Sequence, residues 1–115
     1  MRRGEIRLVD LEPVRGAEAN KQRPAVIVSN DGANSTAERL GRGVITVVPV
    51  TSNTDRVYPF QVLLQARQTG LAADSKAQAE QIRSVAVERI GPRIGLVPAD
   101  VLGELDEALR LHLAL

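Results

Sequence analysis

The apolar residues of this chain fall into short runs separated by turn-forming residues, and this spacing restricts the fold more than any other feature. Most of the runs have the length and the two-residue period of strands. The predicted strands lie at residues 5–11, 24–29, 43–50, 60–65 and 75–79. The interval 30–42 is rich in turn-forming residues and is expected to hold a short helix near Ala37. The pattern predicts a β-rich α+β fold with a mainly antiparallel sheet.

The last segment of the chain has the spacing of an amphipathic helix. Pro98 suits a first helical turn, and Asp100 complements the helix dipole there. One face is expected to be apolar, formed by Leu102, Leu105, Leu109 and Leu113. Gly103 weakens this helix by roughly 1 kcal/mol relative to alanine. Residues 81–96 fit neither period, and Pro92 excludes a continuous helix there.

Length and composition indicate one globular domain, residues 1–115, with a modest core. Hydrophobic residues make up 43% and charged residues 25%, and no apolar run approaches the roughly 18 residues that a membrane span needs. We find no pattern of a signal peptide, and a chain without cysteine fits a reducing cytoplasm. The net charge is +1, with acidic residues concentrated after residue 98; charge alone does not indicate a polyanion partner.

Five motifs occur in order along the chain. They are Gly4-Glu5-Ile6 through Val9-Asp10-Leu11, Gln22-Arg23-Pro24 before an apolar run, the run 44–50 ending in Thr51-Ser52-Asn53, Tyr58-Pro59-Phe60, and Glu80-Gln81-Ile82-Arg83-Ser84. Together they resemble the MazF/PemK family of toxin endoribonucleases. The resemblance covers residues 3 to about 90, and the predicted C-terminal helix fits it too. It implies an SH3-like small barrel with a C-terminal helix, a fold that this family shares with CcdB-type gyrase poisons.

Cleavage of RNA without a metal ion requires a base for the 2′-hydroxyl, charge stabilisation at phosphorus, and an acid for the leaving 5′ oxygen. The one histidine, His112, falls in the predicted tail helix and is an unpromising catalyst. Arg23 is the strongest candidate, because a guanidinium binds phosphate bidentately and does not deprotonate. The resemblance implies that Arg23 is catalytic; without it, Arg23 reads as a solvated loop arginine.

Two further catalytic candidates depend on the resemblance. Thr51 lies where an apolar strand ends, so its hydroxyl can donate to a phosphate oxygen. The simpler interpretation is that Thr51 caps the loop that follows. Glu18 lies in a long polar interval, residues 12–23, and matches a glutamate of the family. Glu18 has three open roles: base recognition, orientation of Arg23, or acceptance of a proton.

The expected RNA contacts combine amides, hydroxyls and cations. They are Arg3, Ser52, Asn53, Lys76, Gln81 and Arg83. Gln81 can read a base edge with a donor and an acceptor together, and the resemblance implies that it contacts RNA. Tyr58 and Phe60 are the only aromatic residues, so few side chains are available to stack on RNA bases. We expect these two residues to pack in the core and to lie where a strand begins. No metal site or cofactor motif is evident.

The sequence therefore predicts a cytoplasmic, metal-independent endoribonuclease that cuts single-stranded RNA and leaves 2′,3′-cyclic phosphate and 5′-hydroxyl ends. The resemblance implies the toxin of a type II toxin–antitoxin pair, a homodimer, and inhibition by an antitoxin whose acidic tail fills the RNA groove. A CcdB-like toxin that binds gyrase without enzymatic activity is the alternative; the chain end Leu111–Leu115 lacks the tryptophan expected of it. An SH3-like peptide-binding module is a third reading, disfavoured because it needs an aromatic-lined groove.

Overall fold

A computed structural model describes residues 1–11 and 22–115. The strands are β1 (Glu5–Asp10), β2 (Gln22–Ile27), β3 (Val44–Thr51), β4 (Gln61–Leu64), β5 (Ser75–Gln78), β6 (Arg83–Ala86) and β7 (Ile90–Leu96). The helices are α1 (Asp31–Leu40), α2 (Ala66–Thr69) and α3 (Ala99–Leu113), and 3₁₀ turns span Ala79–Gln81 and Val87–Arg89. The five predicted strands are confirmed to within a residue or two. The ambiguous interval 81–96 resolves into two short strands joined by a 3₁₀ turn.

The strands form an antiparallel sheet in the order β4-β5-β3-β2-β1-β7, and β6 pairs with the first half of β3. β3 lies at its centre, because β2 flanks one side while β6 and then β5 flank the other. The curved α+β architecture is confirmed, but the barrel does not close: among the described residues β4 and β7 form no ladder. Instead Thr69, the last residue of α2, lies against β7. Gly95 permits this approach, since a Cβ there would lie 2.4 Å from the Thr69 carbonyl oxygen.

The two faces of the sheet pack on different helices. The α3 face carries apolar residues from several strands against Val101, Leu105 and Ala108 of α3, among them Ile6, Val26, Val48 and Val50. The α1 face carries a second cluster around Ala37 of α1, among them Val9, Ala25, Ile27, Ile45 and Val47. Adjacent residues of β2 and β3 belong to opposite clusters, as the pleat of a strand requires.

The terminal helix covers its own sheet, as its apolar pattern indicates. Leu105 is fully buried, and Leu102 and Leu109 pack against the same cluster. The expectation for Leu113 is wrong: it is 46% exposed, because every residue of α3 beyond Leu109 is exposed to solvent. Pro98 also differs from expectation, since it occupies the N-cap with extended backbone rather than the first turn.

Asparagine and glycine residues of the interval 30–42 cap the two ends of helix α1. Asn30 caps the N-terminus, its side-chain oxygen accepting a hydrogen bond from the Ala33 N–H at 2.8 Å. Gly41 ends the helix in the left-handed conformation at φ 66°, which glycine adopts without steric cost. These caps turn the chain back so that β3 can pair with β2.

Candidate nucleic-acid interface

The α1 face of the sheet is apolar at one end and polar at the other. Along β3, Ile45 and Val47 are fully buried on this face, whereas Pro49 and Thr51 are only partly covered. Arg23, near the start of β2, is exposed. The apolar end packs against α1, and the polar end stays open to solvent.

Arg23 and Thr51 lie at the same end of the neighbouring strands β2 and β3. The β2–β3 ladder ends at the pair Ala25 and Pro49; Arg23 lies two residues beyond this pair on β2, and Thr51 lies two residues beyond it on β3. On the other side of β3, Thr51 is the Cα partner of Lys76. Neighbouring strands lie about 4.8 Å apart, and residues opposite each other project to the same face. Thr51 and Lys76 are thus neighbours on β3 and β5, and Arg23 lies two residues before the last residue of β2 that pairs with β3; we call these three residues the polar row.

Thr51 shapes the turn that follows it. Its hydroxyl oxygen accepts a hydrogen bond from the Asn53 N–H at 3.3 Å, and the Asn53 side-chain oxygen accepts one from the Asp55 N–H at 3.2 Å. A hydroxyl that accepts one hydrogen bond can still donate its own proton. Ser52 and Asn53 are exposed beside it, so three polar side chains meet solvent where β3 ends.

Gln81 and Arg83 lie on the side of β3 opposite Arg23. Gln81 is exposed at the end of a 3₁₀ turn that lies between the two strands pairing with β3. Arg83 is the β-partner of Val47, and its guanidinium donates to the Leu11 carbonyl oxygen at 2.7 Å. Both residues belong to elements that flank β3, and Arg83 pairs with it four residues before Thr51.

Lys76 belongs to the polar row, but its ammonium group is directed into the protein. The residue is only 8% exposed, and Nζ donates to the Arg56 carbonyl oxygen at 2.6 Å. The sequence had placed this lysine among the phosphate contacts. Its geometry instead ties β5 to the segment that follows Thr51.

Arg3 lies at the opposite end of β1 from the polar row, since the β-partner of Arg23 is Val9. Its guanidinium donates to the Val28 carbonyl oxygen at 2.9 Å and to Asp106 of α3 at 2.6 Å. This arginine joins the N-terminal segment to the terminal helix. The structure does not bring it together with Arg23 and Thr51.

Glu18 lies outside the residues that the structure describes. Within the described ranges, no three His, Asp or Glu side chains are arranged to hold a metal ion. His112 is exposed in the last turn of α3. No helix in the described part of the chain is long and apolar enough to cross a membrane.

Sequence analysis missed two residues that shape this region, Gln61 and Glu80. Gln61 is 9% exposed, and its amide nitrogen donates to both carboxylate oxygens of Glu80, at 2.7 and 3.1 Å. Its amide oxygen accepts from the Tyr58 N–H at 3.2 Å. The contact with Glu80 leaves no local sequence signal, because Gln61 and Glu80 are 19 residues apart.

The chain resembles a defined group of toxins. Residues 2–113 match the family described as PemK-like, MazF-like toxin of type II toxin-antitoxin system. The chain is 71% identical over 115 residues to endoribonuclease MazF9 of Mycobacterium tuberculosis, covering 100% of this chain and 98% of that protein.

Solved structures agree on the fold. One is a MazE–MazF crystal structure from Deinococcus radiodurans, with a TM-score of 0.79 at 28% identity over 100% of this chain and 96% of that one. Another is the Mycobacterium tuberculosis toxin MazF-mt6, with a TM-score of 0.77 at 23% identity over 96% of this chain and 97% of that one. An endoribonuclease in complex with its cognate antitoxin, from Mycobacterial species, gives 0.75 at 23% identity over 100% and 96%.

Proposed function

Because the chain belongs to the PemK-like, MazF-like toxins of type II toxin–antitoxin systems, we propose that it is an endoribonuclease toxin that cuts single-stranded RNA. Its 71% identical relative carries the name endoribonuclease. We propose that residues 1–115 form one catalytic domain, that it acts in the cytoplasm, and that it needs no metal ion. The CcdB-like alternative receives no support from the polar row, because binding to gyrase requires no paired arginine and hydroxyl.

The observation that carries this proposal is that Arg23 and Thr51 lie at the same end of the neighbouring strands β2 and β3. This is supported by their positions on neighbouring strands, each two residues beyond the last pair of the β2–β3 ladder, Ala25 with Pro49. A guanidinium and a hydroxyl about one strand spacing apart can hold two oxygens of one phosphate group. The strands fix both backbones, so the two groups are arranged before RNA binds.

The proposed reaction is an internal transesterification. The ribose 2′ oxygen attacks phosphorus while its proton passes to a base, and the bond from phosphorus to the 5′ oxygen breaks as that oxygen takes up a proton. The products are a 2′,3′-cyclic phosphate and a 5′-hydroxyl. Arg23 stabilises the negative charge that grows on the phosphorus oxygens, and Thr51 donates a hydrogen bond to one of them. Glu18 is the third catalytic candidate, on the strength of the family motif.

We propose that the RNA strand runs over the ends of the strands that flank Thr51. Ser52 and Asn53 would contact its backbone, Gln81 would read a base edge, and Arg83 would add a positive charge beside them. Arg3 would reach RNA only by leaving Asp106 and the Val28 carbonyl, so it stands outside this groove.

The proposed partners are a second copy of the chain and a cognate antitoxin. A relative's structure contains its cognate antitoxin, and the exposed cations near Thr51 would suit an acidic peptide. Light scattering at micromolar concentration should report a dimer. A monomer at that concentration would contradict the proposed assembly without affecting the proposed chemistry.

The function can be tested on a mixed RNA pool with the purified protein. Sequencing the 5′-hydroxyl ends should reveal cuts at one short sequence motif. Cuts bearing 5′-phosphates, or no cuts at all, would overturn the proposed reaction.

Cleavage should also persist in excess EDTA, because Arg23 supplies the charge that a metal ion would otherwise provide. If EDTA stops the reaction and Mg²⁺ or Mn²⁺ restores it, the metal-independent mechanism is wrong. Arg23→Ala serves as the inactive control in both conditions.

A further inference from the structure

Gln61, the first residue of β4, lies between two groups of opposite hydrogen-bonding type. Its amide oxygen accepts from the Tyr58 N–H at 3.2 Å, and its amide nitrogen donates to both carboxylate oxygens of Glu80, at 2.7 and 3.1 Å. A backbone N–H can only donate, and an ionised carboxylate can only accept. Glutamine carries a donor and an acceptor on one planar group, so it joins the two in a single orientation.

These groups lie where an unpaired polar group is costly. Gln61 is buried and Glu80 is partly buried. In the part of the chain that the structure describes, no cation pairs with Glu80, and the Gln61 amide is the donor that reaches its carboxylate. Removal of either partner would leave the other without this hydrogen bond in a place that water reaches poorly.

One end of this contact belongs to the segment of residues 52–60, which follows Thr51 and includes Tyr58. Lys76 is the Cα partner of Thr51, and it donates its ammonium to the Arg56 carbonyl oxygen at 2.6 Å. The segment is therefore fixed to the strand beside Thr51 two residues before it meets Gln61 through the Tyr58 N–H.

The other end of the contact belongs to the 3₁₀ turn Ala79–Gln81, in which Glu80 directly precedes Gln81. Gln81 is exposed, and among the described residues its side-chain amide makes no hydrogen bond, so it is available to a ligand. Glu80 is the residue of this turn whose side chain is hydrogen-bonded to another element within the described ranges. The turn that carries Gln81 is thereby tied to β4.

We propose that Gln61 and Glu80 are positioning residues that determine which RNA sequence is cleaved, because they hold Gln81 in a fixed place relative to Thr51. The inference rests on the proposed endoribonuclease function and adds to it the residues that set its selectivity. An amide discriminates between bases only when its donor and its acceptor both meet the base edge. A small displacement of the turn therefore removes discrimination. Gln61 and Glu80 act through Gln81 rather than through a contact of their own with RNA.

The test uses oligonucleotides that contain the cleaved motif, as defined by sequencing of 5′-hydroxyl ends, with one base changed at a time. Selectivity is the ratio of kcat/KM for the motif to kcat/KM for each changed oligonucleotide. Gln81→Ala should reduce this ratio at one position, which identifies the base that Gln81 reads. Gln61→Glu should reduce the ratio about tenfold at the same position and leave it unchanged at the others.

Exchange of the two side chains provides the rescue. In Gln61→Glu, two carboxylates face each other and repel, so the contact is lost. When Gln61→Glu is combined with Glu80→Gln, the carboxylate at position 61 can still accept from the Tyr58 N–H, and the amide at position 80 can donate to it. The double variant should regain the selectivity of the wild type. Gln68→Glu adds the same charge at an exposed amide of α2 and serves as the matched control.

Glu80→Gln alone distinguishes positioning from proton transfer. An amide at position 80 still offers an oxygen to the Gln61 amide nitrogen, so kcat at saturating RNA should stay within a few-fold of wild type. A carboxylate that moved a proton in the reaction would lose roughly 10²–10⁴-fold in kcat when replaced. A loss of that size would overturn the positioning role.

Circular dichroism establishes that each variant is folded. If Gln61→Glu does not fold, Gln61→Met removes both contacts without adding a charge and carries the same prediction. The inference is refuted, and the nuclease function stands, if the wild type cleaves RNA but Gln61→Glu leaves selectivity unchanged or slows cleavage of all oligonucleotides alike. The same holds if Gln81→Ala changes the ratio at no position, or if the double variant does not regain selectivity. If the wild-type protein neither binds nor cleaves RNA, the proposed function fails, and the inference fails with it.

Discussion

The two faces of the sheet are built from the same strands, yet they differ in the helix that covers them. On the α3 face, a helix of 15 residues lies over the sheet and buries Val48 and Val50 together with Leu105. On the α1 face, a helix of 10 residues contributes Ala37 to the cluster that contains Ile45 and Val47. Thr51 and the exposed Arg23 stand beyond that cluster. The comparison shows how one strand can contribute to a core cluster on each face and display a polar group only at its end, where the shorter helix no longer covers it.

The largest expected effect concerns the α3 face. Leu105→Ala should lower the free energy of unfolding by about 2–5 kcal/mol, because the removed atoms leave a cavity in a fully buried cluster. Urea denaturation measures the change, with the exposed Leu111→Ala as the control. A loss below about 1 kcal/mol would mean that α3 does not seal the sheet as described.

On the α1 face, the expected loss is in activity rather than stability. Arg23→Ala should reduce cleavage by about 10²–10³-fold, the usual effect of removing one contact to the charge of a transition state. Its melting temperature should stay close to that of the wild type, because Arg23 is exposed. A fluorogenic RNA–DNA oligonucleotide measures the rate, and Arg42→Ala, in the exposed turn before β3, is the matched control. Cleavage near the wild-type rate would remove Arg23 from the mechanism.

A smaller effect is expected on the outer side of α3. Glu104 and Glu107 are exposed there, on a helix that covers the opposite face from the polar row. Reversal of both charges to lysine should leave cleavage within a few-fold of wild type and preserve the oligomeric state seen by light scattering. A large change in rate would show that this side of α3 approaches RNA.

The smallest effect concerns one end of α1. The hydrogen bond from the N-terminal ammonium to Glu38, at 2.9 Å, lowers the pKa of that carboxyl from its usual 4.5. A lowered folded pKa contributes stability above the unfolded pKa, and this contribution disappears as pH falls through the folded value. Glu38 is half exposed, so the contribution is small. Urea denaturation should show a slight deficit for Glu38→Gln near neutral pH that vanishes in acid, with Glu104→Gln unaffected.

Much of this molecule is predictable from local pattern. Val47 and Val48 read as a buried strand because apolar residues are present on both sides of the pleat. The end of α1 follows from Gly41, because a left-handed residue must follow the helix. Arg23 and Thr51 stood out because each is polar at the boundary of an apolar run, and the family motifs supported both residues.

Other features depend on residues distant in sequence and left no local signal. The apolar spacing that included Leu113 could not reveal where the sheet beneath α3 ends. Arg3 and Lys76 read as exposed cations, since nothing near them in sequence identifies Asp106 or the Arg56 carbonyl as their partners. The pairing of Gln61 with Glu80 was invisible for the same reason.

The sequence by itself determined five strands and the terminal helix, the strand–helix class and the identity of the candidate cation and hydroxyl, because periodicity, caps and motifs are local properties of the chain. Only the tertiary structure decided which of these residues become neighbours in space. The ladder between β2 and β3 puts Arg23 and Thr51 at the same end of neighbouring strands, and the ladder between β3 and β5 pairs Thr51 with Lys76. Register depends on pairing between distant strands, and it fixes which side chains share a face.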